Sequence, residues 1–287
     1  MKKGMFRWFA AVFVFYATLS LFGEARAFEV GGLASPQNFI VDAETGNYYI
    51  SNVKGRAFSK GNAGFVTMLN AEGKVSKLKL IEGGRGDVTL NTPRGLLVIG
   101  DSLYVADTPF VRVFDKLTGA KKGEIDLSSL KAKFLNGLAT GPDGRIFVTE
   151  TVGNAIFVIH PDQKNKAELF ASGKGIDSPS GIAFSPKLNK FFVTMGFSVL
   201  ATVDLNGAPQ KFVKMPVKSL SGVDFDAEDN VYVSSFNRGI IFKVDKNLRT
   251  TIMVRGLVSP ANITLDKKKQ LILVPLYLKS RAMTVPY

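Results

Sequence analysis

The sequence of 287 residues contains no cysteine and only one histidine and one tryptophan. The lack of cysteine excludes disulfides, thiolate metal sites, a cysteine nucleophile and a lipid-modified cysteine at a cleavage site. The single histidine, His160, argues against Ser-His-Asp catalysis and against metal sites built on several histidines. We expect His160 to be a surface or turn residue that follows a strand, away from the centre of the protein.

Negative charge is also scarce, because 24 acidic residues face 37 Lys and Arg, for a formal net charge of +13. One interpretation is an anionic partner such as nucleic acid, lipopolysaccharide or an acidic polymer. The other is ordinary surface charge that keeps the protein soluble. We favour the second, with no nucleic-acid partner, because the lysines are scattered and only residues 267–269 form a run. No P-loop or dinucleotide-binding motif is present, and no cofactor is expected.

Residues 1–27 have the layout of a secretory signal peptide. Lys2, Lys3 and Arg7 precede an apolar run at 9–22, and residues 25–27 form an A-x-A cleavage site. The run is shorter than the ~20 residues that a membrane-spanning helix needs. We predict a periplasmic or secreted protein that begins near residue 28 and has a net charge of +10, since the removed segment holds four basic residues and one acid. The alternative is a retained N-terminal anchor.

The segment 135–150 contains two apolar runs of strand length with Gly141-Pro142-Asp143-Gly144 between them. Proline presets φ, aspartate bonds its own backbone and glycine tolerates positive φ, so these four residues predict a tight turn. The second run contains Ile146, Phe147 and Val148, which are β-branched or aromatic and favour a strand. The segment therefore predicts a β-hairpin.

Five other stretches share this frame, which is a triplet ending in glycine or asparagine, a turn, and a β-branched or aromatic run. The third places of the triplets are residues 38, 95, 137, 181, 222 and 262, separated by 57, 42, 44, 41 and 40 residues. A strand-built repeat of about 40–45 residues is typical of β-propeller blades. Six copies predict an all-β, six-bladed propeller that forms one domain over residues 28–287. Long loops account for the first interval.

The two ends of the chain indicate how the ring closes. Residues 28–36 resemble residues 252–260, where the outer strand of one blade leads into the next. The last repeat has two hairpin strands and the run 282–285, and it lacks a fourth strand. We predict that residues 28–33 supply this strand and close the ring, which removes an open sheet edge. The alternative is a frayed N-terminus.

The inner strands of a propeller converge on a central channel, so polar residues at their ends point into its mouth. The triplets and the following strands predict two rings there: Gln37, Arg94, Asn136, Ser180, Ser221 and Ala261, and Asn52, Asp107, Glu150, Met195, Ser235 and Pro275. Arg94, Asp107, Asn136 and Glu150 combine both charges with an amide, and we predict that they bind a ligand. The alternatives are acid–base catalysis by the two carboxylates, or a structural network that Arg94 neutralises.

The triplets and hairpins resemble the family of regucalcin and gluconolactonase and, more loosely, NHL-repeat propellers, over essentially all of 28–287. Members that hydrolyse sugar lactones hold a divalent metal through a Glu, the Asn of a P-N-G triplet and the Asp of a D-G triplet. The resemblance places Gln37, Ser180 and Ser221 at these positions. It retains a substrate-contacting Asn as Asn136, although the usual neighbouring Asp is Gly137. Because Ca²⁺ prefers several oxygen ligands with carboxylates among them, we expect no metal.

Together these features predict an exported propeller that acts as a binding or scaffold protein for a small polar ligand or a protein at the channel mouth. No catalytic residue is assigned. The alternative function is that of a divergent, metal-dependent sugar-lactone hydrolase of the gluconolactonase type. We expect a monomer without membrane contact once the signal peptide is removed.

Overall fold

The computed structural model describes residues 27–56, 58–196 and 198–287. Residues 1–26, which hold almost all of the predicted signal peptide, lie outside the described residues, so its cleavage stays a prediction. The described part contains 24 β-strands and three short 3₁₀ helices, Ser128–Leu130, Pro161–Gln163 and Tyr277–Lys279. None of its helices is long and apolar enough to cross a membrane.

The strands form six antiparallel sheets of four strands each, which are the blades of the propeller. The chain begins with β1 (Glu29–Val30), which belongs to blade 6. Blades 1 to 3 follow in order: β2 (Pro36–Val41), β3 (Tyr48–Asn52), β4 (Phe65–Leu69), β5 (Val75–Glu82); β6 (Leu96–Ile99), β7 (Ser102–Asp107), β8 (Phe110–Asp115), β9 (Lys121–Asp126); β10 (Leu135–Thr140), β11 (Ile146–Glu150), β12 (Ala155–His160), β13 (Lys166–Ser172).

Blades 4 to 6 complete the ring. Their strands are β14 (Ile182–Ser185), β15 (Lys190–Met195), β16 (Val199–Val203), β17 (Pro209–Lys214); β18 (Leu220–Phe225), β19 (Val231–Ser235), β20 (Ile240–Val244), β21 (Thr250–Val254); β22 (Thr264–Asp266), β23 (Leu271–Leu276), β24 (Arg281–Pro286). The first strand of every blade contacts the first strands of both neighbouring blades. The predicted six-bladed propeller is therefore confirmed.

Because the strands of each blade alternate in direction, the connecting loops divide into two faces. The upper face comprises the loops between the second and third strands and those that lead into the next blade: 31–35, 53–56, 58–64, 83–95, 108–109, 127–134, 151–154, 173–181, 196, 198, 215–219, 236–239, 255–263 and 277–280. The lower face comprises the turns between the first and second strands and between the third and fourth strands: 42–47, 70–74, 100–101, 116–120, 141–145, 161–165, 186–189, 204–208, 226–230, 245–249 and 267–270.

The predicted closure by the N-terminal segment is confirmed. Val30 of β1 pairs with Ala282 of β24 as the outermost strand pair of blade 6. Phe28 extends the pairing, since its amide donates to Thr284 Oγ1 at 2.9 Å and its carbonyl accepts the Thr284 amide at 2.9 Å. Leu33, also from this segment, is buried in the core. The first and last segments of the described chain are thus locked into one sheet.

The glycine at the third place of most triplets has a packing reason that the sequence pattern does not reveal. Gly95 N donates to the carbonyl of Asn136 in the next blade at 2.9 Å. A Cβ atom on Gly95 would lie 2.2 Å from that same oxygen, and one on Gly222 would lie 2.1 Å from Ile263 N. The same close approach recurs at Gly137 and Gly181. Neighbouring inner strands therefore meet backbone to backbone at these residues, with no space for a side chain.

A hydroxyl on the second strand of four blades ties each blade to the next. In blade 1, Ser51 Oγ donates to the Arg94 carbonyl at 2.6 Å and accepts the Asn38 amide at 3.0 Å. The same arrangement recurs in blades 3, 4 and 5 with the hydroxyls of Thr149, Thr194 and Ser234. At the junction of blades 6 and 1, Asn38 Nδ2 donates to the Asn262 carbonyl at 2.9 Å instead. These bonds satisfy buried backbone groups between blades.

A buried ion pair joins blades 1 and 2 on the lower face. Lys116 Nζ lies 2.9 Å from Asp42 Oδ2 and 2.7 Å from Glu44 Oε2, and the side chains of Lys116 and Asp42 are each 4% exposed. Burial alone would raise the pKa of Asp42, but hydrogen bonds from Thr45, Lys116 and the Glu44 amide outweigh it and hold the pKa below 3.8. Hydrogen bonds to Glu44 and Asp42 raise the pKa of Lys116.

Replacing Lys116 with methionine should lower the free energy of unfolding by about 2 kcal/mol at neutral pH, because a buried carboxylate loses its charged donor. The folded-state pKa of Asp42 is depressed, so its contribution is present above its unfolded pKa and is lost as pH falls through the folded value. The difference between wild type and variant should therefore shrink below pH 3.8. Urea unfolding of both proteins at neutral and at acid pH measures this difference in free energy of unfolding. Lys122→Met, at an exposed pair with Asp115, is the control, and an equal loss at both pH values would contradict the electrostatic cause.

Candidate binding face around the channel mouth

The six inner strands surround a central channel that opens on the lower face. There it forms a cavity of about 430 Å³, lined mainly by aliphatic residues from all six strands. At the upper end, five residues at the second places of the triplets are at most 6% exposed: Gln37, Arg94, Asn136, Ser221 and Ala261. The mouth predicted from the sequence is therefore filled by side chains, and it is a shallow surface on the upper face.

Three acids line the lower cavity: Asp224 on the inner strand of blade 5, and Asp42 and Glu44 in the first turn of blade 1. The sequence analysis did not single out Asp224. Burial raises the pKa of Asp224, and Lys267, whose Nζ lies 4.0 Å from Oδ1, opposes this increase. The carboxylate accepts the amides of Phe225 and Leu265, both at 2.8 Å. Its oxygens are thus engaged within the protein, and the cavity offers mostly apolar surface.

Arg94 lies at the centre of the upper face, at the start of blade 2. Its guanidinium carbon is 3.8 Å from the centre of the Phe134 ring, and the ring of Phe58 packs on Phe134 with a centroid distance of 4.9 Å. Burial lowers the pKa of Arg94 to about 10, while electrostatic interactions with Tyr277 and Asp107 oppose this decrease. The side chain therefore stays cationic at neutral pH beneath an aromatic pair.

Asn136, on the inner strand of blade 3, presents an oriented amide next to this stack. Its Nδ2 donates to Thr151 Oγ1 at 3.2 Å and to Ser180 Oγ at 3.1 Å. Its Oδ1 is buried and has no hydrogen-bond partner among the described residues. Because a buried carbonyl oxygen without a donor is unfavourable, Asn136 has an acceptor ready for an incoming hydroxyl or N–H group.

The other two predicted residues of the site, Asp107 and Glu150, hold the upper loops in place. Asp107 accepts the Thr92 amide at 2.7 Å and is neutralised by Arg112, whose Nε lies 2.8 Å away. Glu150 accepts the Phe134 amide at 2.6 Å and the Gly153 amide at 2.8 Å. Ligand contact by these two carboxylates stays a prediction, and the geometry gives them a positioning role.

Two details differ from the sequence-based interpretation. Arg112, which the sequence analysis did not single out, forms an ion pair with Asp107, because β8 runs beside β7 and places the two side chains together. His160 is not a surface or turn residue. It ends β12, its side chain is 11% exposed, and its Nε2 lies 2.9 Å from Glu168 Oε1 on the outer strand. Its partner is thus on the blade edge and not at the channel.

The metal site implied by the regucalcin and gluconolactonase resemblance does not fit these residues. The three corresponding positions, Gln37, Ser180 and Ser221, supply an amide and two hydroxyls, and no carboxylate. Ser180 Oγ already accepts a hydrogen bond from Asn136. In the described ranges no group of three or more His, Cys, Asp and Glu residues could hold a metal ion. A hard divalent cation needs a more anionic oxygen set.

The ring topology concentrates the net charge on the upper face. The described loops of this face contain two acids, Asp87 and Asp177, and twelve basic residues, an excess of ten positive charges. The basic residues are Lys54, Arg56, Lys60, Arg85, Arg94, Lys131, Lys133, Lys174, Lys218, Arg238, Arg255 and Lys279. The lower-face turns contain ten basic and eleven acidic residues. Basic residues thus lie on both faces, but only on the upper face are they not balanced by acids, so the net positive charge lies there.

Fold and site together define a six-bladed β-propeller with a basic upper face. No protein-family model and no curated protein matches the sequence. Among solved structures, virginiamycin B lyase from Staphylococcus aureus has a TM-score of 0.60 and 18% identity, covering 91% of this chain and 88% of that one. An auxiliary nutrient binding protein from Bacteroides thetaiotaomicron has a TM-score of 0.68 and 11% identity, covering 90% of this chain and 70% of that one.

A streptogramin B lyase is similar too, with a TM-score of 0.64 and 12% identity over 90% of this chain and 96% of that one. Identities this low show the propeller fold and nothing more about activity, since one fold hosts many functions. Membership in the regucalcin and gluconolactonase family is not confirmed. The function therefore has to be argued from the site.

Proposed function

We propose that this protein is an exported binding propeller that recognises a small polar ligand, or a polar group of a protein, at the upper mouth of the channel. The observation that carries the proposal is Asn136, whose Oδ1 is buried and unsatisfied among the described residues while its Nδ2 is fixed by two hydroxyls. A ligand hydroxyl would satisfy Oδ1. If the same ligand carried a carboxylate, that group would be attracted to the positive charge of Arg94 nearby.

Asn136→Ala should weaken the binding of such a ligand by about 1 kcal/mol or more, roughly fivefold in affinity, because the ligand hydroxyl would lose its acceptor in a desolvated site. The ligand would come from a thermal-shift screen of small sugars, sugar acids and lactones, and titration calorimetry would measure its affinity. Asn206→Ala, an exposed asparagine on the lower face, is the control. Equal affinities of wild type and Asn136→Ala for a confirmed ligand would show that the site is elsewhere.

The second candidate is a divergent sugar-lactone hydrolase of the gluconolactonase type, which the retained Asn136 supports. The loss of carboxylates at the three metal-ligand positions argues against it, because without the metal the enzyme would have no Lewis acid. A lactone panel assayed with and without Ca²⁺, Mn²⁺ and Zn²⁺ separates the two functions. Saturable, metal-dependent turnover would favour the hydrolase and overturn the preference for binding alone.

A further inference from the structure

The basic face of this protein also carries its most exposed apolar side chains. Phe58 and Leu278 are 67% and 68% exposed, more than any other large apolar side chain in the described ranges. Phe58 lies in the upper loop between β3 and β4, and Leu278 lies in the upper loop between β23 and β24. These loops belong to blades 1 and 6, which are neighbours across the ring closure. Two exposed apolar side chains thus lie on the strongly basic upper face.

We propose that the upper face docks onto an anionic lipid surface. In such a complex Phe58 and Leu278 would enter the boundary between headgroups and acyl chains, and the surrounding lysines and arginines would lie at the anionic headgroups. The sequence places the charges next to these side chains, since Lys54 and Lys60 flank Phe58 and Lys279 follows Leu278. The basic residues lie on six blades, so the attraction would act over the whole face.

Both apolar side chains are supported from within the protein. Phe58 packs on Phe134, and Phe134 in turn packs on the buried Arg94. Leu278 is the central residue of the 3₁₀ helix Tyr277–Lys279, whose Tyr277 ring lies 5.6 Å from the ring of Phe236. The two side chains are therefore held away from the core by packed aromatic residues. Little conformational freedom would be lost on insertion.

A lipid surface fits better than another polyanion. Nucleic acid or an acidic polysaccharide would be attracted by the charge, but Leu278 has no ring that could stack on a base. Both a leucine and a phenylalanine gain by entering a bilayer interface. The expectation of no membrane contact relied on positive charge dispersed along the sequence, and the fold collects that charge on one face. The proposal does not depend on a small ligand at the mouth.

Flotation with vesicles tests the proposal, using residues 28–287 and phosphatidylcholine vesicles with or without phosphatidylglycerol. We expect binding only to the vesicles that contain phosphatidylglycerol, and a decrease in binding as salt is raised. The double variant Phe58→Ser/Leu278→Ser should bind at least about tenfold more weakly, because the inserted apolar groups are lost. Lys54→Gln/Lys60→Gln/Lys279→Gln should weaken binding by a similar factor, because attraction to the headgroups falls.

Matched variants of the lower face are the controls. Leu117→Ser/Leu248→Ser changes exposed leucines, and Lys74→Gln/Lys164→Gln/Lys246→Gln changes exposed lysines, and both should bind like the wild type. Melting curves show that each variant is folded. Equal binding to both kinds of vesicle, or wild-type binding by the Phe58/Leu278 variant, would overturn the proposal. So would equal affinity for a DNA duplex that is unaffected by the serine substitutions, which would identify a general polyanion site.

Discussion

Gly222→Ala is expected to lower the free energy of unfolding by about 3 kcal/mol or more, since overpacking against a rigid backbone is strongly destabilising. The added Cβ would lie 2.1 Å from Ile263 N and 2.8 Å from Asn262 C in the next blade. These are backbone atoms of the segment that leads directly into the inner strand β22, so no side-chain rotation can relieve the clash. Relief requires that blades 5 and 6 separate. The change should appear as a decrease of roughly 6–12 °C in melting temperature.

The matched control for this variant is Gly123→Ala. Gly123 lies on the outer strand β9, where an added Cβ would have no other atom within 4 Å, and its φ, like that of Gly222, is outside the left-handed region. Calorimetry of both variants separates the steric clash from the general effect of replacing glycine in a strand. If the two variants have the same melting temperature, the triplets need glycine for a reason other than the close approach of neighbouring blades.

A chain shortened to begin at Ser35 should show the largest loss of stability. The removed segment contains Phe28, which packs against Phe39 and Tyr48 with ring centroids 6.3 and 5.4 Å away, and the buried residues Val30 and Leu33. Burial of three such side chains contributes about 5 kcal/mol or more. The shortened chain would also expose an unpaired edge of β24. We expect the melting temperature to fall by more than about 10 °C, or the protein to aggregate.

If the shortened chain does not fold, two point variants still test the contribution of β1 to stability. Val30→Asp introduces a charge at a buried position of β1 and should reproduce most of the loss. Glu29→Gln removes only an exposed ion pair with Arg281, and it should change the free energy of unfolding by less than about 1 kcal/mol. If the shortened chain has the same melting temperature as the protein that begins at residue 28, the closure of the ring by β1 is contradicted.

The six-bladed architecture could be predicted from the sequence because the triplet, the turn and the strand-like run recur together at nearly the same interval. The turn at residues 141–144, the run that follows it and the triplet before it have counterparts in every blade. The closure by β1 was predictable as well, because residues 28–36 resemble the end of blade 5 and its link to blade 6. Each of these signals is local, and local patterns suffice when a fold consists of one repeated unit.

The site was less predictable because it depends on which neighbours the side chains meet. Position in the repeat placed Arg94 and Asn136 correctly at the upper end of the inner strands, but the same reasoning could not show that Arg112 reaches Asp107. Nor could it show that Phe58 crosses to Phe134, a residue in the link to blade 3. A run of charge is visible in a sequence, whereas charge gathered from separate loops around the ring is visible only once the ring is closed.

The pairing of β1 with β24 also sets the order in which the chain can fold. Phe28 bonds Thr284, a residue 256 positions further along the chain, so β1 has no partner strand until β24, at the end of the chain, has been synthesised. Blades 1 to 5 use only contiguous segments, and each can form as it leaves the ribosome. Closure is a late step with a large sequence separation, and such contacts form slowly. Until then β1 cannot pair, and the ring stays open between blades 6 and 1.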